Sequence, residues 1–124
     1  MRQKLVVLTV RARAFPTESA ATQNNLGIAW REKPTGDKGK NIDKAIAAYT
    51  AALTVRTKER FPADWARTQN NLGAAWGNKP TGEKGENLSN AIAAFEAALT
   101  VHTKERFPAH WATTQNNLGC CSLF

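Results

Sequence analysis

A chain of 124 residues, 42% hydrophobic and 22% charged, is long enough for one packed domain and too mixed in composition for a disordered or collagen-like polymer. No stretch approaches the ~20 consecutive apolar residues of a membrane-spanning helix, so no membrane is expected as a partner. The formal charge of +7 is lopsided, because residues 1–60 hold 12 Lys and Arg against 5 Asp and Glu, while residues 61–124 hold 5 against 5; an acidic partner suits the first half, and a solvated surface is the plainer reading.

In chain order, Met1 to Ala14 offers two early cations, Arg2 and Lys4, and a short apolar run from Leu5 to Leu8. The run is too short for a secretory leader. Leu8-Thr9-Val10 followed by Phe15-Pro16 echoes Leu53-Thr54-Val55 followed by Phe61-Pro62, so residues 1–15 are expected to be the truncated end of a helix. Phe15-Pro16 then opens the first full helix. Proline is tolerated at the first helical position, where its missing N–H costs nothing, and Glu18 suits the positive end of the helix dipole. The same start recurs at Phe61-Pro62 with Asp64 and at Phe107-Pro108 with His110. These A helices are predicted over Pro16 to Arg31, Pro62 to Gly77, and from Pro108 to near the end. Trp65, Leu72 and Trp76 are spaced to share one face.

Lys33 to Asn41 and Lys79 to Asn87 follow as Pro- and Gly-punctuated loops. Their Gly-Lys pairs lack the spacing and the preceding strand of a phosphate-binding loop. B helices are predicted from Asn41 to Arg60 and Asn87 to Arg106, with each Asn as the N-cap. Ile42, Ala45, Ile46, Tyr49, Ala52 and Leu53 mark an apolar face with a seam of small residues, repeated by Leu88, Ala91, Ile92, Phe95, Ala98 and Leu99.

The word Thr-Gln-Asn-Asn-Leu-Gly occurs at 22–27, 68–73 and 114–119, a period of 46 residues. Residues 41–72 and 87–118 are identical at 24 of 32 positions. A fixed period of this size indicates stacked supersecondary units, each burying its apolar face against the next. The expected fold is all-α, an α-solenoid of antiparallel helix pairs forming one repeat domain. Its parts are residues 1–15 as a truncated B helix, 16–61 as the first unit, 62–107 as the second, and 108–124 as the A helix of a third.

Leu72, Gly73 and Trp76 in helix A, then Ala91, Phe95 and Ala98 in helix B, then a Pro before the next helix, resemble the tetratricopeptide repeat. The unit is about a dozen residues longer than the roughly 34 of the usual form and is similar to the kinesin light chain type and to long arrays in bacterial multidomain proteins. Gln69 stands where the family often has Trp, and Ser122 where an aromatic is usual. The resemblance implies that Asn24, Asn70 and Asn116 line the concave surface and bond an extended peptide, a task that suits an amide with one acceptor and two donors. Asn25, Asn71 and Asn117 would hold the stack or act as a secondary groove. The unit varies around them, with Ala21, Arg67 and Thr113 three residues before the first Asn and Ile28, Ala74 and Cys120 four after. Arg67, Ile28 and Ala74, with Arg31, are therefore candidate peptide-selecting positions, and Arg67 suits a carboxylate.

No catalytic arrangement stands out. His102 replaces Arg56 and His110 replaces Asp64 of the preceding unit, so neither belongs to a repeated site; they make a poor metal pair and are expected at the surface. No cofactor and no metal are expected, and no Ser or Cys comes with a base. Cys120 and Cys121 are adjacent and unsuited to a disulfide framework, which fits a reducing, cytoplasmic setting. The expected function is a protein-interaction scaffold, possessing a groove for a peptide. The alternatives are a basic helical-repeat RNA binder, with nucleic acid the less favoured partner, and a purely structural assembly module. A start inside a B helix and a stop after an A helix lead to an expectation of homo-oligomers through these incomplete ends.

Overall fold

The computed structural model describes residues 16–122. Their regular structure is all helical: α1 (Pro16–Glu32), α2 (Lys38–Leu53), α3 (Pro62–Asn78), α4 (Lys84–Leu99) and α5 (Pro108–Ser122). The expected truncated helix at 1–15, and the apolar terminal residues Leu123 and Phe124, lie outside the described residues.

The A helices α1, α3 and α5 begin at their prolines, as the sequence predicts. At α3 the entry is prepared one turn earlier, where Thr57 accepts from the Phe61 N–H at its carbonyl (2.9 Å) and from the Arg60 N–H at its hydroxyl (3.4 Å). Phe61 then takes the N-cap position without a side-chain bond, and Pro62 follows. Asp64 in the first turn meets the positive pole of the dipole.

The B helices differ from expectation at both ends. They start at Lys38 and Lys84, and the N-caps are Asp37 and Glu83 rather than Asn41 and Asn87. Asp37 accepts from the Lys40 N–H at 3.0 Å, and Glu83 accepts from the N–H groups of Gly85 and Glu86 at 3.0 and 2.6 Å. A carboxylate meets free N–H groups and the helix dipole together, which a neutral amide does not. Asn41 and Asn87 are instead buried inside the first turn, donating to the carbonyls of Thr35 (2.9 Å) and Thr81 (2.8 Å). Those bonds close the loop over Gly36 and Gly82, whose φ values of 85° and 82° lie in the left-handed region that favours glycine.

At the far end α2 stops at Leu53 and α4 at Leu99, well before the predicted Arg60 and Arg106. The Thr54 and Thr100 hydroxyls bond back to the carbonyls of Ala51 and Ala97 at 2.6 Å, and the backbone tightens there to three-residue bonds. Local hydroxyl-to-carbonyl bonding competes with helix continuation, and Thr-Val-Arg-Thr offers little propensity to resist it. Lys58 lies over Trp65 (5.6 Å to the ring centre) and Lys104 over Trp111 (5.5 Å), covering each turn in the same way.

Packing runs between neighbours. Each helix packs on the one before and the one after it, and the A helices also touch across units, α1 with α3 and α3 with α5. Within a unit the crossing is close because glycine faces an aromatic ring: Tyr49 lies over Gly27 and Phe95 over Gly73. One core gathers Ile42, Ala45 and Tyr49 of α2 with Ala75 of α3, and Ile28, Trp30, Ile46 and Leu72 pack around it. A second gathers Ala91 and Phe95, with Ala74, Trp76, Leu88, Ile92 and Leu118 around it. Leu72 and Leu118 thus occupy the same slot in successive units, each closing the helix pair that precedes it. The loops stack too, since Lys79 Nζ lies 2.6 Å from Asp43 and Thr81 rests against Gly39.

Candidate functional site

The repeated asparagines divide by neighbour rather than by position in the motif. Asn24 is buried, and its Oδ1 accepts from Thr68 Oγ1 and from Asn71 Nδ2, both at 3.2 Å. One unit later, Asn70 Oδ1 accepts from Thr114 Oγ1 at 3.0 Å. The first Asn of the motif is therefore a rung joining one A helix to the next, and the buried Thr68 and Thr114 are the matching donors. Asn24, expected in the groove, is buried with its oxygen committed to the rung, and half-buried Asn70 has its oxygen committed in the same way. Asn70 stands two residues before Leu72, about 200° around the helix, which does point it away from helix B. In a stack, that direction meets the next A helix before it meets water. Asn116 is exposed, and so is Asn25, whereas Asn71 holds the rung at Asn24 and Asn117 is half-buried.

The variable positions fare differently. Ile28 packs on the Tyr49 core, and Arg31 is half-buried, 3.9 Å from Glu32. Arg67 is exposed on α3. Ala74 borders a cavity of ≈ 430 Å³. Gly73, Ala74 and Gly77 of α3, with Asn78, bound it; α4 contributes Leu88 and Phe95, and α5 contributes Asn117 and Cys120. Ala74 and Gly77 stand where Ile28 and Arg31 stand in the first unit. Two truncations between the units thus coincide with the opening, and both could be read by aligning one unit on the other.

The aromatic beneath the cavity also differs. Phe95 replaces Tyr49, whose hydroxyl is buried without a hydrogen-bond partner. Burial pushes the Tyr49 phenol up from its ordinary value, with Arg31 opposing and Glu32 adding to the shift. Phe95 carries no such polar atom, so the base of the cavity is apolar, and the amides of Asn78 and Asn117 with the exposed thiol of Cys120 provide its polar groups. A side chain with an apolar body fits that lining, and amides beside it offer donors and acceptors to a peptide backbone.

Of the two histidines expected at the surface, His110 is exposed but His102 is not. His102 is 3% exposed, and its ring stacks on His110 with centroids 4.6 Å apart. The signal for this pairing was the joint exchange of Arg56 and Asp64 for two histidines, because Arg56 Nη1 and Asp64 Oδ1 lie 3.7 Å apart. Among the described residues no group of three or more His, Cys, Asp or Glu is placed to hold a metal, and no helix is long and apolar enough to cross a membrane. Several cations of the basic half are engaged singly: Lys33 and Lys44 lie over Trp30 at 5.3 and 4.3 Å, and Arg56 pairs with Asp64. Compared with known proteins, the chain matches no family model, no curated protein and no solved structure.

Proposed function

We propose that the chain is a short α-solenoid of tetratricopeptide type that serves as a protein-interaction scaffold, receiving one aliphatic side chain of an extended partner segment in the cavity among α3, α4 and α5. Two features support the stacked reading. Helices pack only on near neighbours, and A helices approach one another across units while α2 and α4 do not meet, as in a stack that curves toward its A face. That face carries the exposed Arg67 and Asn116. The observation that carries the binding reading is the replacement of Ile28 and Arg31 by Ala74 and Gly77, which accompanies an apolar cavity where the first unit fills the equivalent positions with its own side chains. Arg67 suits an acidic residue of the same segment.

A peptide array would identify a ligand, and titration would compare the parent with the filled variant Ala74→Ile/Gly77→Arg. Loss of one buried aliphatic side chain is worth about 1.5–3 kcal/mol, so affinity should fall roughly tenfold or more with no loss of helicity. Undiminished affinity in a folded, filled variant would refute the cavity as the site. RNA binding that weakens steeply with salt would instead favour the nucleic-acid reading.

A further inference from the structure

The turn joining α4 to α5 carries a side-chain pair unlike its counterpart one unit earlier. At the first junction Arg56 Nη1 lies 3.7 Å from Asp64 Oδ1. At the second, the same positions hold His102 and His110, whose planes lie 18° from parallel at 4.6 Å between centroids. Nearly parallel rings direct their in-plane lone pairs side by side rather than at one point, which is poor geometry for a shared metal. It is good geometry for two neutral imidazoles, and two imidazolium ions at that separation would repel.

His102 is the buried member. Phe107 tilts against it at 5.2 Å, and its Nδ1 has no hydrogen-bond partner. Charging that ring would put a cation largely out of water, with no acceptor for its Nδ1 in exchange. The charges that face it are also unhelpful: Arg67 of α3 and His110 of α5. On the connecting turn Lys104, Glu105 and Arg106 are exposed, with Lys104 over Trp111 and Arg106 over Phe107. Among the described residues neither histidine forms an ion pair.

We propose that His102 and His110 form a proton-operated latch that holds α5 against α4 at neutral pH and releases it in mild acid, while the Arg56–Asp64 junction stays closed. Burial first, then His110 and Arg67, hold the His102 imidazole below its ordinary value of 6.5. The docked form therefore binds fewer protons than the released form. Docking is at full strength above the ordinary value and is lost as pH falls through the depressed one. The first junction carries no imidazole, the side chain that responds to mild acid. Because α5 contributes Asn117 and Cys120 to the cavity, its release would dismantle one wall; the latch itself concerns α5 and stands whether or not the cavity takes a peptide.

With only two histidines in the chain, proton NMR of the imidazole Cε1–H signals follows both directly. His102 should titrate below the free-histidine range. Between about pH 7.5 and about pH 5, amide-exchange protection of α5, corrected for the intrinsic pH dependence, should fall relative to α3. The variant His102→Arg/His110→Asp copies the first junction and should hold α5 protection level. The reciprocal Arg56→His/Asp64→His should confer the acid response on α3. Constant α5 protection in the parent across this range overturns the latch without any variant. So does an acid response that survives in the folded His102→Arg/His110→Asp chain.

Discussion

One repeat position tests the helix crossing three times over, because Gly27, Gly73 and Gly119 occupy it in successive A helices. Alanine in place of each gains helix propensity, worth about 1 kcal/mol, and adds one methyl group. At Gly27 that methyl would lie 2.5 Å from Tyr49 Cε1 and 2.7 Å from Cδ1. Favourable carbon separations are about 3.5–4.0 Å, so the ring must retreat by roughly 1 Å from a fully buried site. Overpacking of this kind costs about 1–3 kcal/mol, so after the propensity gain Gly27→Ala should emerge as net destabilising by up to about 2 kcal/mol. At Gly119 a methyl meets nothing within 4 Å, leaving only the propensity gain of about 0.5–1 kcal/mol. Gly73→Ala should fall between, since its methyl would sit 2.7 Å from Phe95 while that ring borders a cavity into which it can recede. Urea unfolding followed by circular dichroism ranks the three, and with a slope of about 1–3 kcal/mol per molar a net cost of about 1 kcal/mol lowers the Gly27 midpoint by several tenths of a molar. Three equal upward shifts would show that propensity alone acts, and that the rings do not bear on the glycines.

Tyr49→Phe copies Phe95 and removes a buried hydroxyl that has no partner, so it should raise stability by about 1 kcal/mol; a lower thermal midpoint would mean that the hydroxyl is bonded in solution. Asn24→Ala should cost about 1–3 kcal/mol, because it strands Thr68 and Asn71, whereas Asn25→Ala on the exposed side should change little. Chemical denaturation of both variants checks this, and equal effects would remove Asn24 from the rung.

The repeat, the helical class, and the starts of the A helices were legible in the sequence, because proline's fixed geometry, a 46-residue period and 3.6-residue apolar spacing are local properties of the chain. The ends of the B helices were less so. The expected helices ran on to Arg60 and Arg106, beyond apolar faces that end at Leu53 and Leu99, while the choice between continuing and turning rested on Thr54 bonding back to Ala51. What only the tertiary structure decided is which polar residue meets water. A helical wheel defines inward relative to one partner, but α3 has α1, α2, α4 and α5 around it, so the side of Asn24 that looked open is closed by the next A helix. The same holds for His102 and His110, eight residues apart in sequence and stacked across a turn in space. Residue spacing determined which helices form; the meeting of side chains from different units, governed by how those helices stack, determined which surfaces remain available.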